Sequence, residues 1–233
     1  MPCTLPASLA DAAVCRGSFH AVLGGEAGEA VFADFSAALQ KAQAEGRILT
    51  ASLFRYENHL FFYAEGLNRP FTPQGLCPAL DAALLPWPPA LGEAAPRPWA
   101  AMQPYFYHDV PTTAADWQQG RCPQRRRGRI ALLPPDSWCS YMEHHLRIVT
   151  EGLVEGDRWH LICVQEGVLF SYLEEPRTNV NIKHQPGAHS PELDAWIAAD
   201  PESHFARFTP EQKAHPDSGH NFVFLPRIAG TED

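Results

Sequence analysis

Ser137–Glu175, SWCSYMEHHLRIVTEGLVEGDRWHLICVQEGVLFSYLEE, reads as a helix, a Gly-containing turn and two strands joined at Glu166-Gly167. Trp138, Tyr141, Met142, His145, Ile148 and Val149 recur at three- and four-residue steps, the spacing that stacks side chains on one helix face. Asp136 or Ser137 can cap the start of this helix and Gly152 can end it. His145 therefore sits among apolar neighbours, one turn beyond Tyr141. After Gly152, Arg158–Gln165 and Val168–Glu174 read as a hairpin. Alternation along it separates Val168, Phe170, Tyr172 and Glu174 from Leu169, Ser171 and Leu173, and Trp159, Leu161 and Cys163 from His160, Ile162 and Val164.

The same element order occurs on both sides of the chain's midpoint. Gly17–Gly24 is a strand, Ala30–Glu45 a helix, Ile48–Tyr56 and Leu60–Gly66 a hairpin around Glu57-Asn58, Pro73–Leu85 holds a short helix, and Trp99–Val110 is a closing strand. The proline-rich Pro86–Pro98 between the last two reads as a surface loop. In the second half, Gly128–Leu133 is a strand, then come the helix and hairpin above, a helix at Pro191–Ala199 and a strand at Asn221–Ile228. Each half is thus a βαββαβ, or ferredoxin-like, unit. ENHLFFYAE at Glu57–Glu65 and EGVLFSYLE at Glu166–Glu174 share five of nine residues at a constant offset of 109, where the strand order already places equivalent elements.

The expected fold is therefore α+β: two tandem ferredoxin-like repeats, residues 1–112 and 128–233, joined by a linker at 113–127. Each repeat covers one sheet face with helices, so two copies can pack their bare faces into an intrachain, pseudo-dimeric α+β barrel. The offset sets Phe32 against Tyr141 and Ser36 against His145, so the candidate chemistry lies only in the second repeat.

Composition narrows the function. A chain of 233 residues with 45% hydrophobic content can bury roughly 70–75% of its unfolded surface and needs no staple. The formal charge of −9, from 18 Lys+Arg against 27 Asp+Glu, disfavours nucleic acid or an anionic membrane as partner. The run RRRGR at Arg125–Arg129 is the exception, and it is expected to be a solvated part of the linker. No apolar run reaches the roughly 20 residues a membrane span requires, and MPCTLPASLADAAVC shows no signal peptide, which points to the cytoplasm. Six cysteines lie scattered without a C-x-x-C pair, as expected for reduced thiols. His184, His189, His204, His215 and His220 do not fall at metal-ligand spacing, so no metal is expected. G-x-G-x-x-G, P-loop, G-x-S-x-G and H-E-x-x-H patterns are absent.

The second half resembles L-rhamnose mutarotase and its relatives over roughly residues 128–228. The resemblance is carried by Tyr141 and His145 in YMEHH, by Leu169, Phe170 and Glu174, by Asp194, Trp196, Ala198 and Asp200 in DAWIAAD, and by Phe205. It implies a dimeric α+β barrel that interconverts sugar anomers without a cofactor. In it the helix histidine (His145) is the proton donor, the tyrosine one turn earlier (Tyr141) meets the substrate, and an aromatic (Phe205) packs on the sugar ring. Trp159, Tyr172 and Glu174 are further substrate-binding candidates. The family has one repeat per chain, whereas this chain has two. A barrel that only binds a small molecule or a partner protein fits the same pattern, as does a homo-oligomer of such barrels. Haem proteins related to chlorite dismutase also fuse two ferredoxin-like halves, and in that reading His160 or His204 would be axial.

Overall fold

Alternating and helical hydrophobic patterns yield a mixed α+β protein in which every ladder is antiparallel, as a computed structural model of the chain shows. The structure describes residues 6–177, 183–184, 187, 189–213 and 217–231. The chain divides into two units: residues 1–102, 111–123 and 226–233 form unit 1, and residues 103–110 and 124–225 form unit 2.

Unit 1 runs β1 (Val14–Leu23), α1 (Glu29–Ala44), β2 (Ile48–Tyr56), β3 (His59–Leu67), α2 (Pro78–Ala83), β4 (Leu84–Leu85), the first three residues of β5 (Ala100–Tyr107) and α3 (Ala114–Gln118). Its sheet has the order β5–β1–β3–β2, with β4 also on β1. The β2–β3 turn puts Glu57 at φ 52. One face of the sheet meets α1, and there Phe62, Phe35, Leu39, Leu53 and Trp99 form a closed aromatic and aliphatic core. Phe62 is ringed by Phe19, Phe35, Phe71 and Trp99 at centroid distances of 6.3, 5.7, 6.4 and 6.1 Å. The proline-rich stretch carries no strand or helix, only a Trp87–Arg97 bridge.

Unit 2 runs β6 (Arg125–Leu132), α4 (Pro135–Glu151), β7 (Val154–Glu155), β8 (Leu161–Gln165), β9 (Val168–Glu175), β10 (Lys183–His184), α5 (Pro191–Ala198) and β11 (Val223–Leu225). Its sheet has the order β11–β6–β9–β8, and Gln103–Tyr107 of β5 lie on β8. β7 and β10 form a separate pair. Here α4 and α5 cover the face that carries Leu169, Ile162 and Val164.

Three expectations are corrected. Residues 113–127 are not a plain linker: α3 lies within them, capped by the Thr113 hydroxyl accepting from Asp116 N–H at 3.2 Å, and the arginine run belongs to β6. Arg127 is buried rather than solvated because it pairs with Glu175 and Asp217 at 3.1 and 2.9 Å. The strand expected at Asn221–Ile228 is two strands, interrupted at Pro226, which has no N–H to give a ladder. β11 pairs with β6 in unit 2, and β12 (Arg227–Gly230) pairs with β2 in unit 1. Helix α4 starts at Pro135 without a side-chain cap and ends at Gly152, whose φ of 66 suits a residue lacking Cβ. Cys15, Cys77, Cys122, Cys139 and Cys163 are free thiols. Among the described residues, no helix is long and apolar enough to cross a membrane.

Candidate functional site in unit 2

The register of β9 decides where a site can form. Ser171 faces Arg129 on β6 and Ile162 on β8, and Ile162 in turn faces Phe106 on β5. Arg129, Ile162 and Phe106 line a cavity of about 560 Å³. Helix α4 contributes Tyr141 and His145 to it, α5 contributes Leu193, Trp196 and Ile197, and the following segment contributes Glu202 and Phe205. His108, Asp157, His160 and Arg177 line it as well. Gly156 belongs to this wall because a methyl group there would collide with the His108 imidazole.

Tyr141 and His145 stand one turn apart, with ring centroids 4.2 Å from each other. Both are buried, at 3% and 4% exposure. His145 is held edge-on by Phe106 and Trp196, each at 4.7 Å. Its Nδ1 lies 2.9 Å from the Tyr141 carbonyl oxygen. A carbonyl only accepts, so Nδ1 carries the proton and Nε2 keeps its lone pair. Burial pushes the His145 pKa down to about 4, against the hydrogen bond to Tyr141, and the neighbouring His144, His204 and His108 add to the fall. The ring is thus neutral at physiological pH, in the tautomer whose Nε2 can accept a proton. Burial pushes Tyr141 up to about 12, so its hydroxyl keeps its proton at neutral pH. Tyr105 lies behind the pair, edge-on to Tyr141 with ring centroids 6.1 Å apart, and burial and then the Tyr141 phenol raise its pKa.

Of the residues read as candidates, Tyr141, His145 and Phe205 come together in the cavity. Phe205 packs edge-on to Tyr141 at 5.2 Å and is held by a backbone hydrogen bond from Ala206 N to Leu132 O of 2.9 Å. Tyr172 and Glu174 do not line the cavity. They lie on the opposite face of β9 from Ser171, where the Tyr172 hydroxyl donates to Glu174 at 2.6 Å and Arg126 stands 3.6 Å from the same carboxylate. Trp159 is buried in the turn before β8, and the cavity is lined instead by its neighbour His160. His204 does not line it either, and its Nε2 is 3.3 Å from the Ser140 hydroxyl.

No protein-family model matches this chain, and no curated protein matches it. Three solved structures match distantly. A candidate monooxygenase from Lactobacillus acidophilus NCFM shares 6% identity at TM-score 0.38, over 94% of this chain and 96% of its own. A candidate monooxygenase from Fusobacterium nucleatum shares 8% at 0.39, over 94% of each chain. An anthrone oxidase-like protein shares 7% at 0.36, over 94% of this chain and 92% of its own. At these scores the likenesses carry no argument about fold or function.

Arg129, His108, Arg177 and Asp157 were missed by sequence reasoning. Arg129 was hidden in a basic run that resembles a solvated tether. The signal that could have found it was strand alternation through the run, which sets Arg129 on the same face as Arg127 and Ala131 and apart from Arg126. Among the described residues, no group of three or more metal-ligating side chains converges.

Proposed function

We propose that unit 2 is a sugar mutarotase-like isomerase that interconverts the anomers of a reducing sugar in the cavity beside α4. The observation that carries this reading is the pairing of a protonated phenol, Tyr141, with a neutral imidazole, His145, in the wall of one cavity. Anomer exchange needs one group to give a proton to the ring oxygen and another to take one from the anomeric hydroxyl. Tyr141 gives and His145 Nε2 takes. The bond from the anomeric carbon to the ring oxygen breaks as the carbonyl forms. Closure on the other face returns both protons, so the enzyme ends as it began. Phe205, Trp196 and Phe222 offer flat apolar faces to a sugar ring. The chemistry requires no cofactor.

The same proposal includes the finer architecture: two ferredoxin-like repeats related by duplication and forming an intrachain barrel. The matching strand orders, β5–β1–β3–β2 and β11–β6–β9–β8, and the shared residues of the two hairpins support it. It also includes the kinship to L-rhamnose mutarotase and a cytoplasmic setting.

The test is magnetisation-transfer NMR on reducing sugars at anomeric equilibrium. A mutarotase raises the exchange rate between α and β signals in proportion to enzyme concentration. A protein that binds sugar, shown by line broadening, while leaving exchange at the buffer rate is a binding module and not an isomerase.

A further inference from the structure

We infer that the sugar taken by this cavity carries an anionic group, a carboxylate or a phosphate, and that Arg129 is the residue that binds it. The inference rests on the anomer-exchange reading of the same cavity and adds the class of substrate.

Arg129 differs from the other arginines around it. Arg127 pairs with Glu175 and Asp217, and Arg177 hydrogen-bonds Asp157 at 3.2 Å. Arg129 is half-buried, its Nε is enclosed without a hydrogen bond, and no described carboxylate comes within ion-pair distance of it. Its guanidinium carbon lies 4.3 Å from the centroid of the Phe222 ring, which offers a cation–π face but no counter-charge. The carboxylate on the same wall, Glu202, is exposed, and Asn221 donates to it.

Burial, and then the nearby Arg177, draw the Arg129 pKa down to about 10, with Tyr141, Tyr105 and Glu202 opposing more weakly. The side chain therefore stays cationic at neutral pH while lacking a fixed partner. A guanidinium removed from water without a counter-ion is costly. Unit 2 keeps one at a cavity wall shared with Tyr141 and His145. An incoming carboxylate or phosphate supplies the missing charge through the planar fork, which holds two oxygens at once and orients the ring for the acid/base pair. A neutral sugar leaves the guanidinium as it was.

The experiment titrates the full chain with glucose, glucuronate and glucose 6-phosphate, following binding by calorimetry and anomer exchange by NMR. Binding of glucuronate or glucose 6-phosphate at least about 10-fold tighter than glucose is expected, the size of one charge-assisted contact. Which anion wins distinguishes carboxylate from phosphate. In Arg129→Met that preference collapses, and in Arg129→Lys it is partly kept. Equal affinity for all three sugars in the natural protein, or a preference that survives Arg129→Met, overturns the inference. Because the first comparison uses the unaltered chain, a variant that fails to fold leaves it decisive. Exchange of glucose as efficient as that of the anions would overturn this inference and leave the isomerase reading standing. Arg129-dependent anion binding without exchange would do the reverse.

Discussion

Units 1 and 2 use one register for opposite ends. On β3 of unit 1, Phe62 faces Phe19 on β1 and Leu53 on β2. On β9 of unit 2, the residue in that place is Ser171, facing Arg129 on β6 and Ile162 on β8. The helix above repeats the contrast. Phe32 is buried in the core of unit 1 and Ser36 accepts a hydrogen bond from Gly230 N–H, where α4 presents Tyr141 and His145. A serine at the centre of this sheet, where the other sheet has a phenylalanine, is about five side-chain heavy atoms smaller, a difference that close-packed interiors must accommodate nearby. Both units keep the same support on the opposite face, a tyrosine hydroxyl donating to a buried glutamate two residues on: Tyr63 to Glu65 at 2.7 Å and Tyr172 to Glu174 at 2.6 Å.

The largest way to test this contrast is to remove the acid/base pair. His145→Ala or Tyr141→Phe is expected to lower catalysed anomer exchange by on the order of 10²–10⁴-fold, while Ser36→Ala in unit 1 leaves it unchanged. Activity that survives both unit 2 variants would place the chemistry elsewhere in the chain. Stability should show the opposite distribution. Phe62→Ala opens a hole in the core beneath α1 and is expected to cost about 3–5 kcal/mol in urea denaturation. The Glu65 support is of similar weight. Burial alone would raise its carboxyl, but Arg121 at 2.7 Å, with Trp117 and Tyr63 also donating, holds it below the ordinary range. Arg121→Met strands that charge, and about 3–5 kcal/mol is expected to be lost. Crowding the strand that backs Arg129 is the mirror experiment. Ser171→Phe should abolish sugar binding at a stability cost of about 1–3 kcal/mol for overpacking; unchanged binding would show that the ligand does not use the space beside Arg129.

Much of the frame was legible because period and punctuation agree. Helix α4 and the β8–β9 hairpin announce themselves by spacing, and Gly152 and Gly167 by the turns they allow. The helix pair Tyr141 and His145 was visible as chemistry among apolar neighbours. Tyr172 and Glu174 misled because strand alternation gives two faces and no sign of which one is hollow. That sign lies in Arg129, which lines the cavity and is paired with Ser171 in a register only the folded sheet supplies. The arginine run misled for a related reason: composition describes charge but not the carboxylates of β9 that neutralise it, Glu174 and Glu175. Pro226 was readable as a ladder breaker, yet the change of partner strand it marks is a tertiary event.

The smallest expected effect separates His145 from an ordinary surface histidine. Its folded pKa of about 4 lies below the usual 6.5 that it regains on unfolding. Above 6.5 neither state holds the extra proton, and the contribution to stability is fully present. As pH falls below 6.5 the unfolded chain takes up a proton that the folded chain refuses, so stability declines until the folded ring itself titrates near 4. Between about pH 7 and 5.5 this amounts to about 1 kcal/mol. His108, also lowered to about 4 by burial and Arg177, adds to the same decline. His145→Phe keeps the aromatic packing against Phe106 and Trp196 but has nothing to protonate, so its stability should fall less steeply over that interval. Parallel pH profiles for the two proteins would mean that the folded imidazole titrates as it does in the unfolded chain, and the burial argument that holds His145 neutral in unit 2 would be lost.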